Sequence, residues 1–363
     1  MAAKRSKRLD IPGLRLANQH LTTPSTLDAA AVVRRLGAVQ SQDYAGGKWG
    51  IGLRAQGLTD AIVQRAIDDG AIVRTHVLRP TWHYMAADDA RWILALTGPR
   101  VHAANAHYTR KLGLDDAVFK KSMKLLTKAL GNGQHLTREE LGDVLRKGGV
   151  ETDVPQRLAY LMMFAELNAV VTSGRRRGKQ FTYALFDSRV PPSRALDRDE
   201  ALAELARRYF STRGPATLHD FSWWAGLTIA DSKRAIEARG SEIIKEEIDG
   251  TTYWHTGIDA PKRSRRPRVY LLPNYDEYFI GFTDRSAILN VVKGFSLMPG
   301  DPMFTTHVVV LGGQLIGGWK RAAKPKSMRI ELNLVRKLSP DERPALKAAV
   351  QRYADFLEVP VEE

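Results

Sequence analysis

The chain has 363 residues, 44% of them hydrophobic and 26% charged, the profile of a folded globular protein with room for roughly two to four structural units. It contains no cysteine, which excludes disulfides, thiolate zinc sites, iron–sulfur clusters and a cysteine nucleophile, and an intracellular home is the simplest fit. A net charge of +15 and a pI near 9.9 point to a polyanionic partner, nucleic acid first. A membrane surface is a weaker candidate. No apolar run approaches the roughly 18 residues of a membrane span, and no strongly basic amphipathic helix offers itself to lipid.

Met1 to Leu9 carries Lys4, Arg5, Lys7 and Arg8 without an apolar stretch behind them, so it reads as a loose basic arm and not as a signal peptide. Residues 22–39 predict a first helix, with Ser25 and Asp28 in N-cap and N3 positions and Ala29, Val32, Leu36 and Val39 on one face. A Gly-punctuated helix over 46–55 follows. Thr59-Asp60 opens another helix that stops at Gly70. Ala71 to Val77 and Thr81 to Met85 then alternate as two strands. Helices followed by a two-stranded hairpin are the order of a winged helix.

The pattern recurs. Thr137 and Glu140 form a capping box before Leu141, Val144 and Leu145, and Pro155 opens a helix through Leu158, Leu161, Met162 and Ala165. Ala169 to Thr172 and Gln180 to Phe186 flank a basic hairpin tip carrying Arg175, Arg176, Arg177 and Lys179. A third copy follows the Val190-Pro191-Pro192 joint: a helix over Thr217 to Ala225 stopped by Gly226, a second from Thr228 to Gly240, and strands Glu242 to Ile248 and Thr251 to His255 joined at Asp249-Gly250. Irregular spacing of the copies suggests duplicated domains and not a solenoid. After the basic linker Lys262 to Arg268, strands are predicted at 269–272, 278–282, 307–311, 315–319 and 328–334, with a closing helix over 340–357. Residues 294–306 show no clear pattern.

The fold class predicted is thus α+β, three tandem winged-helix units and a β-rich C-terminal subdomain. The boundaries fall at 10–115, 116–192, 193–260 and 261–363.

Chemistry-bearing residues are few. No histidine pair has the spacing of a helical metal site, so neither a catalytic metal nor any other cofactor is expected. Phosphate loops of the G-x-x-x-x-G-K-[ST] type and G-x-S-x-G elbows are missing from the sequence. Gln40 and Gln42 are distinctive. In an extended segment residues two apart point the same way, so both carboxamides can face one small space and hold a water. The plainer reading makes Gln40 a helix-end residue and Gln42 a solvated turn residue. His76 and His83 flank the first hairpin and read mainly as structural hydrogen-bonding groups. Arg175, Arg176, Arg177 and Lys179 sit where a wing would touch phosphate, or form a solvated charge run. Trp223, Trp224 and Trp254 read as core aromatics, and Trp49 follows the glutamines closely enough to suggest a DNA contact.

Three stretches, Val39-Gln40-Ser41-Gln42-Asp43 with Trp49 and Arg54, Leu78-Arg79-Pro80-Thr81-Trp82-His83, and Leu272 through Asp276-Glu277 to Arg285, resemble the winged-helix AlkZ-type DNA glycosylases. The resemblance runs from about Leu14 to about Leu357. It implies a C-shaped, positively charged cleft for duplex DNA, excision of N-alkylated purines, and in one branch the unhooking of interstrand crosslinks. The family's Gln-x-Gln signature falls on Gln40 and Gln42 as catalytic residues; Ser41 stands where the family is usually aliphatic and Pro80 where it usually has Gly. Asp43 and His83 are possible catalytic support, and Trp49 and Arg79 join the basic hairpin as DNA-binding candidates. The picture is of a monomeric, monofunctional glycosylase acting on double-stranded DNA, cytoplasmic and nucleoid-associated, without membrane contact. The competing reading is a non-catalytic winged-helix DNA-binding protein such as a transcription regulator.

Overall fold

The computed structural model describes residues 9–154, 156–257, 266–290, 307–323 and 327–362; the basic arm, Pro155, most of the basic linker and the 294–306 segment lie outside the described residues. The chain opens with α1 (Ile11–Asn18), capped by the Asp10 carboxylate on the Gly13 amide. Helix α2 (Ala29–Leu36) is capped by Asp28 and ended by Gly37 at φ +80. The predicted 22–39 helix is therefore too long at both ends. Ser25 does not cap it but bonds the Arg54 carbonyl, and beyond Gly37 the chain turns into β1 (Val39–Gln40).

Next come α3 (Tyr44–Gly52), α4 (Asp60–Asp68), β2 (Ile72–Val77) and β3 (Thr81–Ala86). The second run has α5 (Ala87–Lys111), α6 (Asp116–Ala129), β4 (Leu136–Thr137), α7 (Arg138–Lys147), α8 (Arg157–Leu167), β5 (Val171–Ser173), β6 (Thr182–Leu185) and the short α9 (Phe186–Arg189). The third has α10 (Arg198–Arg213), α11 (Leu218–Ala225), α12 (Ile229–Glu237), β7 (Ile244–Ile248) and β8 (Thr251–His255). Each run thus places helices before an antiparallel hairpin. The first two hairpins gain a short edge strand in the same way, with sheet orders β1-β3-β2 and β4-β6-β5.

The last part holds β9 (Val269–Leu272), α13 (Glu277–Ile280), β10 (His307–Leu311), β11 (Gln314–Ala323), β12 (Met328–Leu334) and α14 (Glu342–Leu357), with a four-stranded antiparallel sheet in the order β12-β11-β10-β9. The strand predicted over 278–282 is instead a helical turn. Asp276 caps it, and Tyr278, Phe279 and Phe282 are all buried, so no polar face interrupts the apolar run to reveal its period.

Among the described residues three hydrophobic clusters hold the fold together, and one of them coincides with a single run. The first joins α2, α3, Ile72 and Tyr84 to the C-terminal sheet and α14. Val73, Val77 and Met85, on the opposite face of the β2–β3 hairpin, pack with α5 against α10, α11 and α12. The third belongs to α6, α7, α8 and the β5–β6 hairpin. Strand residues alternate faces, so the β1-β3-β2 sheet lies between two different parts of the chain. That placement decides what its side chains meet.

Candidate active site

Strand β1 is two residues long and would not persist alone. Its pairing with β3 sets Val39 opposite Tyr84 and Gln40 opposite His83, and the Ser41 amide donates to the Trp82 carbonyl at 2.8 Å. On its outer edge the Gln40 amide donates to Glu277 Oε1 at 2.9 Å. The other oxygen of that carboxylate accepts from Arg213 Nη2 at 2.6 Å and from Trp224 Nε1 at 3.0 Å. Arg213 in turn donates to the Leu36 and Ala38 carbonyls. Arg213 and Glu277 are at most 1% exposed, so the pair is a desolvated clamp around the strand that carries Gln40.

On one face of the sheet Gln40, His83 and Thr75 form a single row across three strands. Each carries a buried polar atom with no hydrogen-bond partner among the described residues: Gln40 Oε1, His83 Nε2 and Thr75 Oγ1; Thr81 Oγ1, two residues along from His83, is a fourth. The tautomer of His83 follows from its other nitrogen. Nδ1 lies 3.0 Å from the Thr81 carbonyl, which can only accept, so Nδ1 carries the hydrogen and Nε2 a bare lone pair. Burial, with the nearby Arg79 cation behind it, pushes the His83 pKa down to about 3, so the ring is neutral near pH 7. Gln40 Oε1 and His83 Nε2 are thus two acceptors on facing residues. Each can accept a hydrogen from a water, whose oxygen lone pairs then stay free.

Gln42 differs from its partner. It lies beyond the strand, is exposed, and its Oε1 accepts from the Trp82 amide at 3.4 Å, whereas Gln40 is 5% exposed. The two amides flank β3, but they do not share one buried space as the extended-segment expectation had it. Asp43 caps α3, its carboxylate accepting from the Gly46 amide at 3.0 Å, which accounts for it structurally.

Trp49 is corrected outright. It is 2% exposed, donates its indole hydrogen to the Leu271 carbonyl and packs on Tyr353 and Phe356 of α14, so its ring has no face to offer DNA. Arg79 is likewise not an open surface cation. Its guanidinium lies 3.9 Å over the Trp223 ring, Nε and Nη2 are enclosed with no hydrogen-bond partner among the described residues, and burial lowers its pKa to about 10.

The basic hairpin tip also differs from a free charge run. Arg175 pairs with Asp69 at 3.4 Å, and Arg177 bonds Glu140 and the His135 carbonyl at 2.7 Å each. Arg176 lies over Tyr44 and Phe181 while donating to the Lys179 carbonyl. Arg175 and Arg177 keep more than half their side-chain surface in solvent, and Lys179 is exposed.

Sequence reasoning did not single out the clamp. Its one signal was Asp276-Glu277, two adjacent acids inside an apolar stretch, and both are buried against arginines: Asp276 holds Arg54 through two bonds of 2.8 Å. Among the described residues no His, Asp and Glu cluster could hold a metal, and no helix is long and apolar enough to cross a membrane.

Known proteins resemble this chain in sequence and fold. A family model described as DNA glycosylase AlkZ-like matches residues 33–356. An interstrand DNA cross-link repair glycosylase of Streptomyces sahachiroi is 23% identical over 321 residues, covering 84% of this chain and 85% of that protein. The solved structure of Streptomyces sahachiroi DNA glycosylase AlkZ matches with a TM-score of 0.77 at 20% identity, over 97% of this chain and 98% of that one, which shows a common fold. The family match runs without a break from α2, through the glutamine strand and the basic hairpin, to the end of α14, and on that span the chain belongs to the AlkZ-like DNA glycosylases.

Proposed function

We propose that this chain hydrolyses the N-glycosidic bond of N-alkylated purines in duplex DNA and acts on interstrand crosslinks, as the name of its Streptomyces relative states for that protein. The observation that carries the reading is the Gln40–His83 pair of unpartnered acceptors in a buried row. A purine alkylated at N7 is already cationic and leaves as a neutral base, so little acid catalysis is required. What the site must supply is a positioned water and favourable electrostatics at the sugar. Water held by Gln40 Oε1 and His83 Nε2 forms its new bond to C1′ as the C1′–N9 bond breaks. The electron pair of that bond neutralises the purine, and the surplus proton of the water passes to solvent. Gln42, exposed just beyond that strand with its Oε1 held by the Trp82 amide, offers the second lone pair of that oxygen to the electron-poor sugar. No step uses a lysine nucleophile, which makes the enzyme monofunctional, with an abasic site as product.

The repeated order of helices and hairpin supports three winged-helix units at 10–115, 116–192 and 193–260, with 261–363 as the β-rich subdomain around a C-shaped cleft. The hairpin tip with Arg175, Arg176, Arg177 and Lys179 meets DNA phosphates, and the enzyme works as a monomer on the nucleoid without a cofactor.

The test is base release from a duplex carrying one N7-methylguanine, by wild type, Gln40→Ala and Gln42→Ala, with a crosslinked duplex alongside. Each substitution should slow excision on the order of a hundredfold while DNA affinity stays nearly constant. Tight binding without excision of either substrate by the wild type would overturn the reading in favour of a non-catalytic DNA-binding protein.

A further inference from the structure

The face of the β1-β3-β2 sheet turned away from Gln40 and His83 lines a separate cavity. Arg74 and Trp82 lie on that face, and together with Tyr44, Arg176, Lys179 and Phe181 they border a space of about 400 Å³ shared with the β5–β6 hairpin. Its size is within the range of small-ligand sites. Much of its wall is interleaved rings and guanidinium planes, and Glu139 is the one acid among its described lining residues. Arg74 lies 4.1 Å over Trp82, Arg176 lies 5.0 Å over Phe181 and 5.3 Å over Tyr44, and Tyr44 meets Phe181 edge-on at 4.8 Å. Phe181 is 45% exposed, so part of its ring is open to a ligand at the mouth of the cavity.

The cavity is tied to the glutamine segment through its wall. Arg74 donates through Nε and Nη2 to the Ser41 carbonyl at 3.2 and 3.0 Å, and the Trp82 amide donates to Gln42. A base bound here would therefore lie beside Gln42 but across a sheet from the Gln40–His83 row. It cannot be the base under attack.

We propose that this cavity is a second base-binding site, which receives an undamaged nucleobase turned out of the duplex beside the lesion. Rings and guanidinium planes are the surfaces on which proteins stack unpaired bases without regard to sequence, and the flanking cations suit the phosphate that travels with such a base. A chain of net charge +15 attracts DNA without sequence preference, and Arg74, Arg138, Arg176 and Lys179 place cations at this wall. The inference rests on the DNA glycosylase reading above, and the test separates the two.

Full-length protein is irradiated with duplexes that carry one N7-methylguanine and one 5-iododeoxyuridine. The iodinated base is moved in turn through the position opposite the lesion and the flanking positions of both strands. Adducts are located by mass spectrometry, and excision is measured on the same duplexes. The expected result is an adduct on Tyr44, Trp82 or Phe181 from at least one position, with a yield that falls on the order of tenfold in Phe181→Ala and also falls in Arg176→Gln. Both side chains are at the cavity rim, Phe181 45% exposed and Arg176 half-buried, and neither belongs to the buried hydrophobic clusters, so the variants keep the fold. Excision with no adduct on these residues, or with adducts indifferent to both substitutions, overturns the second base site and leaves the glycosylase reading intact. Absence of both excision and adducts overturns both.

Discussion

Replacing Glu277 by glutamine keeps the shape of the side chain and removes its charge, and the surroundings make that small change expensive. One carboxylate oxygen accepts from the Gln40 amide at 2.9 Å, and the other from Arg213 at 2.6 Å and Trp224 at 3.0 Å. A carboxamide can point its single oxygen at only one of these groups and must turn an N–H toward a donor on the other side. Arg213, fully buried, is left as an uncompensated cation. Breaking one side of a buried pair costs about 3–5 kcal/mol, a large share of the roughly 5–15 kcal/mol that holds a domain folded. The measurement is the urea midpoint of the full chain. Arg34→Gln serves as the reference, since the Arg34–Asp88 pair is 44% and 58% exposed and should be worth under about 1 kcal/mol. The double variant Glu277→Gln with Arg213→Met removes both charges and should recover much of the loss, a coupling that a mutant cycle reads directly. If Glu277→Gln costs no more than Arg34→Gln, the clamp is not a desolvated charge pair and the reasoning fails.

Three more outcomes follow from the same contacts. The folded pKa of His83, near 3, lies below its usual value of 6.5, so the unfolded chain binds the extra proton first as pH falls. Stability contributed by the neutral ring is complete above about pH 6.5 and declines by up to about 1.4 kcal/mol per pH unit toward 3. In denaturation curves across that range His83→Gln should flatten the acid limb, and an unchanged limb would remove the assignment. Gly226 sits at φ +66 where an added Cβ would come 1.9 Å from the Leu78 carbonyl oxygen. Gly226→Ala should therefore push α11 off the β2–β3 turn and cost about 2–4 kcal/mol, read as a lowered melting temperature; a loss under about 1 kcal/mol would mean the turn is freely movable. Substituting Arg175, Arg176 and Arg177 together by alanine should weaken duplex binding and reduce the slope of log affinity against log salt by about 1–3. An unchanged slope would take DNA away from that hairpin.

What could be read from the chain was local. The Thr137–Glu140 capping box, the Gly226 stop and the Asp249-Gly250 turn, with φ of +50 and +77, were legible because neighbours in sequence make them. Elements made by distant partners were not. Helix α5 runs 25 residues with Pro99 inside it and no capping side chain, so nothing in its sequence announces a single element. Trp49 looked like a DNA contact because the helix that buries it, α14, arrives some three hundred residues later. The hairpin arginines read as free charge because Asp69 and Glu140, which hold two of them, belong to other elements. At the candidate site the glutamines stood out by spacing. Of the pair that holds the strand in place, Arg213 carries no local mark of that role, and Glu277 shows only as one of two adjacent acids in an apolar stretch.

That long reach sets an order of assembly. The Gln40 amide and its Glu277 acceptor are 237 residues apart, and synthesis proceeds from the N-terminus at about 5–20 residues per second. For tens of seconds a growing chain carries its basic hairpin without Glu277, and the two-residue strand is held by its pairing with β3 alone. With the catalytic role proposed for Gln40, full excision activity waits for the last third of the chain. A chain that stops short of its last third would occupy damaged DNA and leave the lesion in place, so truncation here should produce an obstructing protein and not merely a missing one.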